Sequence, residues 1–298
     1  MKNLTEPLSD ELFFVMGERN GKYPFSHSLL INDYLIDTGI SDRKIKKLKR
    51  SYGVNHVLLS HWHEDHIAGN KMFNNAKFYC HPKDKIIIED ITKMNEFYGV
   101  TGTASESEFE EDFELLNMSN TKINEIFEDG AIYEIANNHK LKIIHTPGHS
   151  AGHCCFLELN SRVAFLADVD LTSFGPWYAG LDSSVEEFEE SIKKLIDVDI
   201  DIAVTSHKGL FTEKALIKDK LNDFLSKIYE RDELILEQLS EKTPKNVEDL
   251  SDNNIIYKYY SKYKNYEILA EQIMFRFHFE KFLKKNIIEP KDNGYILC

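Results

Sequence analysis

The spacing of apolar and polar positions changes several times along the chain, and each change predicts an element. Residues 28–36 cluster apolar side chains around Asn32-Asp33, a turn pair, and read as a β-hairpin closing on Asp37-Thr38-Gly39. Residues 42–51 place Ile45 and Leu48 at helical spacing, with Gly53 where a helix C-cap would fall. A β-branched and leucine-rich strand over 54–60 runs directly into His61. Residues 63–73 open a helix and 77–81 form the next short strand. Alternation of this kind predicts an α/β layered architecture.

Residues 82–129 are long, mostly helical in pattern and contain the acidic stretch SESEFEEDFELL, which reads as a helical insertion with a solvated acidic face. Strand signals return at 141–145, leading into Thr146-Pro147-Gly148-His149, and a hairpin over 153–159 and 162–167 ends at Asp168. Phe188, Ile192, Leu195 and Ile196 make 185–198 an amphipathic helix, and a strand over 200–206 runs into His207. After Gly209 the alternation stops. Helices are expected over 213–239 and 266–285, with a hairpin over 286–297 turning at Asp292-Asn293-Gly294. The expected organisation is a catalytic domain over 1–210 and a helical region over 211–298.

Composition narrows the function classes. A net charge of −14, with the acidic excess in the first 210 residues, argues against a general nucleic-acid binder. No apolar run is long enough to span a bilayer, so no membrane partner is expected. The opening MKNLTEPLSDELFF lacks the apolar core of a signal peptide, which makes the cytoplasm the expected location. Cys80, Cys154, Cys155 and Cys298 form no C-x-x-C and read as reduced thiols. Any metal chemistry must therefore come from histidine and carboxylate.

Such residues are concentrated in His61-Trp62-His63-Glu64-Asp65-His66, just after a buried strand. Neutral imidazole with carboxylate suits zinc and similar borderline ions, and a packing role does not explain four such residues together. His149, Asp168 and His207 each lie at the C-terminal end of a separate predicted strand, where functional groups of layered α/β proteins gather. One cluster plus three isolated ligands is what a composite metal site requires.

In their order and spacing, LIDTG, HWHEDH, TPGHSAGH, FLADVD and TSHKG resemble the motifs of the metallo-β-lactamase superfamily, across roughly residues 12–210. The resemblance implies an αββα sandwich. It also implies a first metal on His61, His63 and His149, a second on Asp65, His66 and His207, and Asp168 bridging both, with Asp37 orienting a ligand from behind. Two departures stand out: Ala167 precedes Asp168 where many relatives have glycine, with Asp170 close by as a competing carboxylate, and the last motif reads SHK rather than the commoner PGHG form.

Two divalent ions, Zn2+ first with Mn2+ and Fe2+ also accepted, would acidify a bridging water, and Asp65 would orient it and take its proton. The expected activity is hydrolysis of an ester, thioester or lactone in a small anionic substrate. RNA or phosphodiester cleavage stays open, as does a mononuclear iron sulfur dioxygenase, while retention of all seven ligand types speaks against a silent binding module.

His145 and His153 flank His149 and are expected to pack or to support it; Trp177 and Tyr178 could line the substrate pocket or simply pack, and Lys208 could meet a substrate anion but reads first as a surface lysine. The basic run over 43–50 reads as a solvated helix face. Residues 211–298 resemble the winged-helix-like tail of some metallo-β-lactamase-fold hydrolases. With no dense basic face, packing on the catalytic domain, pocket shaping or homodimerisation are its expected roles.

Overall fold

A computed structural model describes residues 4–251, 253–261 and 263–298, and the acidic side chains of residues 110–112 lie outside the described ones. The first sheet takes its strands in chain order: β1 (Thr5–Ser9), β2 (Leu12–Val15), β3 (Ser28–Ile31), β4 (Tyr34–Ile36), β5 (His56–Leu58), β6 (Lys77–Cys80) and β7 (Glu125–Ile126). β1 to β4 are antiparallel neighbours, and β4 to β7 are parallel. Parallel pairs need crossovers, and α1 (Asp42–Leu48) and α2 (Glu64–Ile67) lie in the first two. The third carries α3 (Lys85–Glu89), α4 (Met94–Phe97) and α5 (Glu106–Leu116).

The second sheet comprises β8 (Ile132–Ile135), β9 (His139–His145), β10 (Cys154–Glu158), β11 (Val163–Phe165), β12 (Ile202–Thr205) and β13 (Gly209–Phe211). α6 (Val185–Ile196) makes the crossover between β11 and β12, which pair in parallel. α7 (Lys214–Leu236), α8 (Lys264–Lys284) and the hairpin of β14 (Ile288–Lys291) and β15 (Gly294–Leu297) complete the chain.

Strand alternation sorts the core into layers. Leu29, Ile31 and Leu58 face the second sheet, where they meet Ile143, Phe156 and Phe165. Leu30, Leu35 and Val57 face the other way and pack with Ile45 and Leu48 of α1. Across the sandwich, Cys155, Leu157 and Ala203 pack with Phe188 and Ile192 of α6, Phe224 and Ile228 of α7, and Phe275 of α8. Helix, sheet, sheet, helix is the αββα arrangement, and the tail helices share the core of the second sheet. Fully burying one such Leu or Phe stabilises the fold by about 2 kcal/mol.

Several expectations need adjusting. The segment over 82–129 is not wholly helical, because Glu125–Ile126 pairs with Tyr79–Cys80 as an edge strand. β1, β2, β8 and β13 were not legible as strands. Between α7 and α8 the chain makes a single 3-10 turn over Glu248–Leu250. α8 and the closing hairpin form as expected, with Asp292 taking the positive φ that the turn requires.

Candidate metal centre

The ligand groups are assembled from four strand ends. Beyond β5 the chain bends at Ser60 and Trp62 and enters α2 after His63, so His61 and His63 come first and Asp65 and His66 follow from the helix. The strand end is pinned by Asp37, whose Oδ1 accepts from the Ser60 backbone N–H at 2.7 Å and whose Oδ2 accepts from Ser60 Oγ at 2.6 Å. His149 follows Gly148, at φ 127°, where a Cβ would lie 2.3 Å from the Phe188 backbone. Only glycine fits that close approach.

Asp168 follows Ala167, which adopts φ 47°. The left-handed conformation is costly for alanine. Substitution Ala167→Gly is expected to raise stability by about 1 kcal/mol, read as a higher Tm with unchanged metal content.

Two groups of donors converge. His149 Nε2 lies 3.2 Å from His61 Nε2, 2.9 Å from His63 Nδ1 and 3.2 Å from Asp168 Oδ2. Ligand arms of 2.0–2.1 Å around a tetrahedral cation give edges of about 3.3 Å, close to these separations. In the second group, Asp65 Oδ2 lies 3.2 Å from His207 Nε2 and 3.8 Å from His66 Nε2. Asp168 Oδ1 lies 2.9 Å from His66 Nε2 and 3.6 Å from His207 Nε2. Asp168 thus turns one oxygen toward each group.

Proton positions follow from the acceptors behind each ring. His149 Nδ1 faces the Trp177 carbonyl at 2.9 Å and His207 Nδ1 faces the Gly21 carbonyl at 2.6 Å. His66 Nδ1 meets Asp37 Oδ2 at 2.7 Å, and His61 Nδ1 meets Ser60 Oγ at 2.9 Å. Each of these rings donates from Nδ1 and presents the Nε2 lone pair to the centre. His66 Nε2 and Asp168 Oδ1 are buried and close, yet neither makes a hydrogen bond. Ligand atoms converging on a shared point suit a cation, and the chain carries histidine and carboxylate clusters that could hold one.

Electrostatics divides the groups. Burial holds His61 and His63 well below the ordinary histidine range, so both rings are neutral at neutral pH and each keeps one nitrogen lone pair. Burial opposes the charged form of His66 and His207 too, but Asp168, Asp65 and Asp37 outweigh it at His66, and Asp170 and Asp168 outweigh it at His207. Both are lifted well above the ordinary range. A cation at the second group must displace those protons, so affinity there is expected to tighten as pH rises while the first group changes less. Metal titrations between pH 6 and pH 8 would check this.

Asp37, which the resemblance placed behind a ligand, is wholly buried beneath His66. Asp37→Asn is expected to weaken metal binding at the second group by roughly tenfold or more, measured by competition with a chelator. His153 also lies behind the centre, with Nε2 accepting from the Asp168 backbone N–H at 3.3 Å. Asp170 stays a competing carboxylate, since it clusters with Asp168 and His207; its Oδ1 also accepts from the His207 backbone N–H at 2.9 Å, and burial pushes its carboxyl up to about 6.

A cavity of about 320 Å3 opens over both groups, and Trp177 lines it as expected. Tyr178, Lys208 and His145 lie outside its lining. Tyr178 is fully buried and turns away from the cavity to meet His278 Nε2 at 2.8 Å and Arg231 Nη1 at 3.1 Å. Lys208 is exposed and outside the lining, because the chain turns straight into β13. His145 stacks on His81 at 4.0 Å, with its Nε2 3.0 Å from the Ala151 carbonyl.

Sequence reasoning also missed residues. Glu64 is buried and accepts from Tyr98 Oη at 2.6 Å and Tyr23 Oη at 2.8 Å; burial, with Asp65 beside it, pushes its carboxyl up to about 7. Tyr98 and Phe109 of the insertion, and Tyr257 and Tyr266 of the tail, line the cavity. No lysine or arginine lines it among the described residues. The expected anionic substrate thus finds no cationic side chain in the wall.

With the site in place, comparison with known proteins becomes informative. Residues 25–207 match the family model of the metallo-beta-lactamase superfamily. The chain belongs to that superfamily. Members of the superfamily are typically hydrolases, and curated relatives carry hydrolase names. The chain is similar to an atrochrysone carboxyl ACP thioesterase of Cryptosporiopsis sp., 23% identical over 179 residues. That match covers 55% of this chain and only 44% of the relative.

A hydroxyacylglutathione hydrolase of Haemophilus influenzae is 25% identical over 194 residues, covering 61% of this chain and 82% of that one. Among solved structures, a metallo-beta-lactamase family protein of Thermus thermophilus superposes with a TM-score of 0.73 at 17% identity, covering 98% of this chain and all of that one. A beta-lactamase domain protein of Burkholderia ambifaria gives 0.70 at 15% identity over 98% and 94%. These two structures share the metallo-β-lactamase fold with this chain, tail included.

Proposed function

We propose that this chain hydrolyses an ester, thioester or lactone at a centre that holds two divalent ions, zinc by preference. The observation that carries this reading is the division of Asp168, with Oδ2 toward His149 and Oδ1 toward His66. His61, His63 and His149 would hold one ion, and Asp65, His66 and His207 the other. When bound, the ions supply an acidified water as nucleophile and polarise the scissile carbonyl.

This chain's residues do the rest. Asp65, at the floor of the cavity, orients the attacking water and accepts its proton. Trp177 fixes the His149 ring through its carbonyl and closes one side of the cavity with its indole, excluding bulk water. Glu64, its carboxyl raised by burial to about 7, accepts from Tyr98 and Tyr23 and anchors both rings.

The relatives named as thioesterases favour acyl over phosphoryl substrates. A cavity without lysine or arginine among its described lining residues is a poor cradle for RNA, whose affinity comes from phosphate contacts. A mononuclear iron oxygenase leaves the complete second donor group unexplained. The test is a panel of esters, thioesters, lactones and RNA offered to protein stripped of metal and then reloaded with zinc. Acyl hydrolysis restored by zinc is the expected result; activity on RNA alone, or metal-independent activity, would overturn the proposal.

A further inference from the structure

The cavity wall leading away from the ligand groups is aromatic and acidic. Its aromatic part begins at His63, whose ring lies 5.3 Å from Tyr98 and 5.5 Å from Trp177. From Tyr98 it continues to Phe109 at 4.9 Å and from there to Tyr266 at 4.5 Å. On the other side, Trp177 Nε1 donates to Tyr257 Oη at 3.0 Å, which ties the indole to the tail. With the Tyr98 hydroxyl engaged by Glu64, its ring is what it offers to a ligand.

Two carboxylates complete this wall, each next to a ring in sequence. Glu108 precedes Phe109 on α5 and Glu267 follows Tyr266 on α8, and both line the cavity. Glu108 Oε1 accepts from Asn265 Nδ2 at 3.4 Å, while its Oε2 is buried without a hydrogen-bond partner. A buried carboxylate oxygen is costly unless something positive or hydrogen-donating meets it. A neutral apolar ligand would leave that cost standing, and an anion would add repulsion to it.

We propose that this part of the cavity is a subsite for an organic ammonium group, so that the ester or thioester hydrolysed carries a cationic head. The ring faces supply cation–π attraction and Glu108 and Glu267 supply charge. The inference rests on the proposed metal centre only for where the scissile bond lies; the subsite itself is built by α5, α8 and the Trp177 segment. The insertion and the tail thus select the substrate, while the sandwich holds the chemistry.

Choline and 3,3-dimethylbutan-1-ol have nearly the same shape and differ in charge. Calorimetric titration of the zinc-loaded protein is expected to give at least tenfold tighter binding of choline. The double substitution Glu108→Gln and Glu267→Gln should cut that preference at least fivefold, and Trp177→Leu should weaken choline more than the alcohol. Equal binding of the two, or a preference untouched by the double substitution, would overturn the subsite. Choline binding with no hydrolysis of any acyl ester would uphold the subsite and count against the hydrolase. Hydrolysis of neutral esters without choline preference would do the reverse.

Discussion

Asp168→Ala is expected to lower kcat/KM by about a thousandfold or more and to release at least one metal ion per chain. Among the described residues, Asp168 is the side chain whose two oxygens face both donor groups, and burial leaves only 12% of it exposed. Its removal takes a charged ligand from each group and leaves His66 and His207 without the carboxylate that helps to hold their charge. Asp168→Asn preserves shape but not charge, so near-equal loss in both variants would assign the effect to charge. Metal content and steady-state kinetics on the same preparations would check both.

Lys281→Ala is expected to cost about 3 kcal/mol of folding stability, read as a lower urea midpoint with an unchanged slope. Lys281 is 2% exposed, and its Nζ lies 3.1 Å from Glu189 on α6 and within hydrogen-bond reach of Asp232 on α7. One ammonium from α8 therefore joins three helices. Removing it leaves two mostly buried carboxylates facing each other without their shared counter-ion. His278, whose Nδ1 donates to Asp232 at 2.6 Å, compensates only part.

The pH dependence carries the same signature. Burial opposes ionisation of Glu189, but Lys193 and Lys281 hold its carboxyl down to about 2, below the ordinary value of 4.5. A depressed carboxyl contributes stability that is fully present above 4.5 and is lost as pH falls toward 2. Lys281→Ala should make that acid limb shallower, which unfolding curves across the window would reveal.

The clustering of the candidate ligands was legible because such residues are chemically rare together and stand at strand ends, where a buried run such as Val57-Leu58-Leu59 breaks into His61. The layering was legible for the same reason, since Leu29 and Leu30 must part to opposite faces. The pocket was not. Tyr98, Phe109, Tyr257 and Tyr266 have the composition of ordinary core residues, and only the meeting of α5 with α8, far apart in the chain, turns them toward a cavity. Tyr178 and Trp177 were indistinguishable in sequence; Arg231 and His278 draw one inward, and Tyr257 holds the other at the site. Short edge strands such as Glu125–Ile126 lack a pattern of their own and exist because a neighbour offers its backbone.

The most direct test of the central claim is metal content per chain, measured by elemental analysis of protein purified without chelators, alongside His149→Ala and His207→Ala. Two zinc ions per chain are predicted, with each substitution removing about one. A single ion unaffected by His207→Ala would contradict the two-group centre and with it the proposed mechanism.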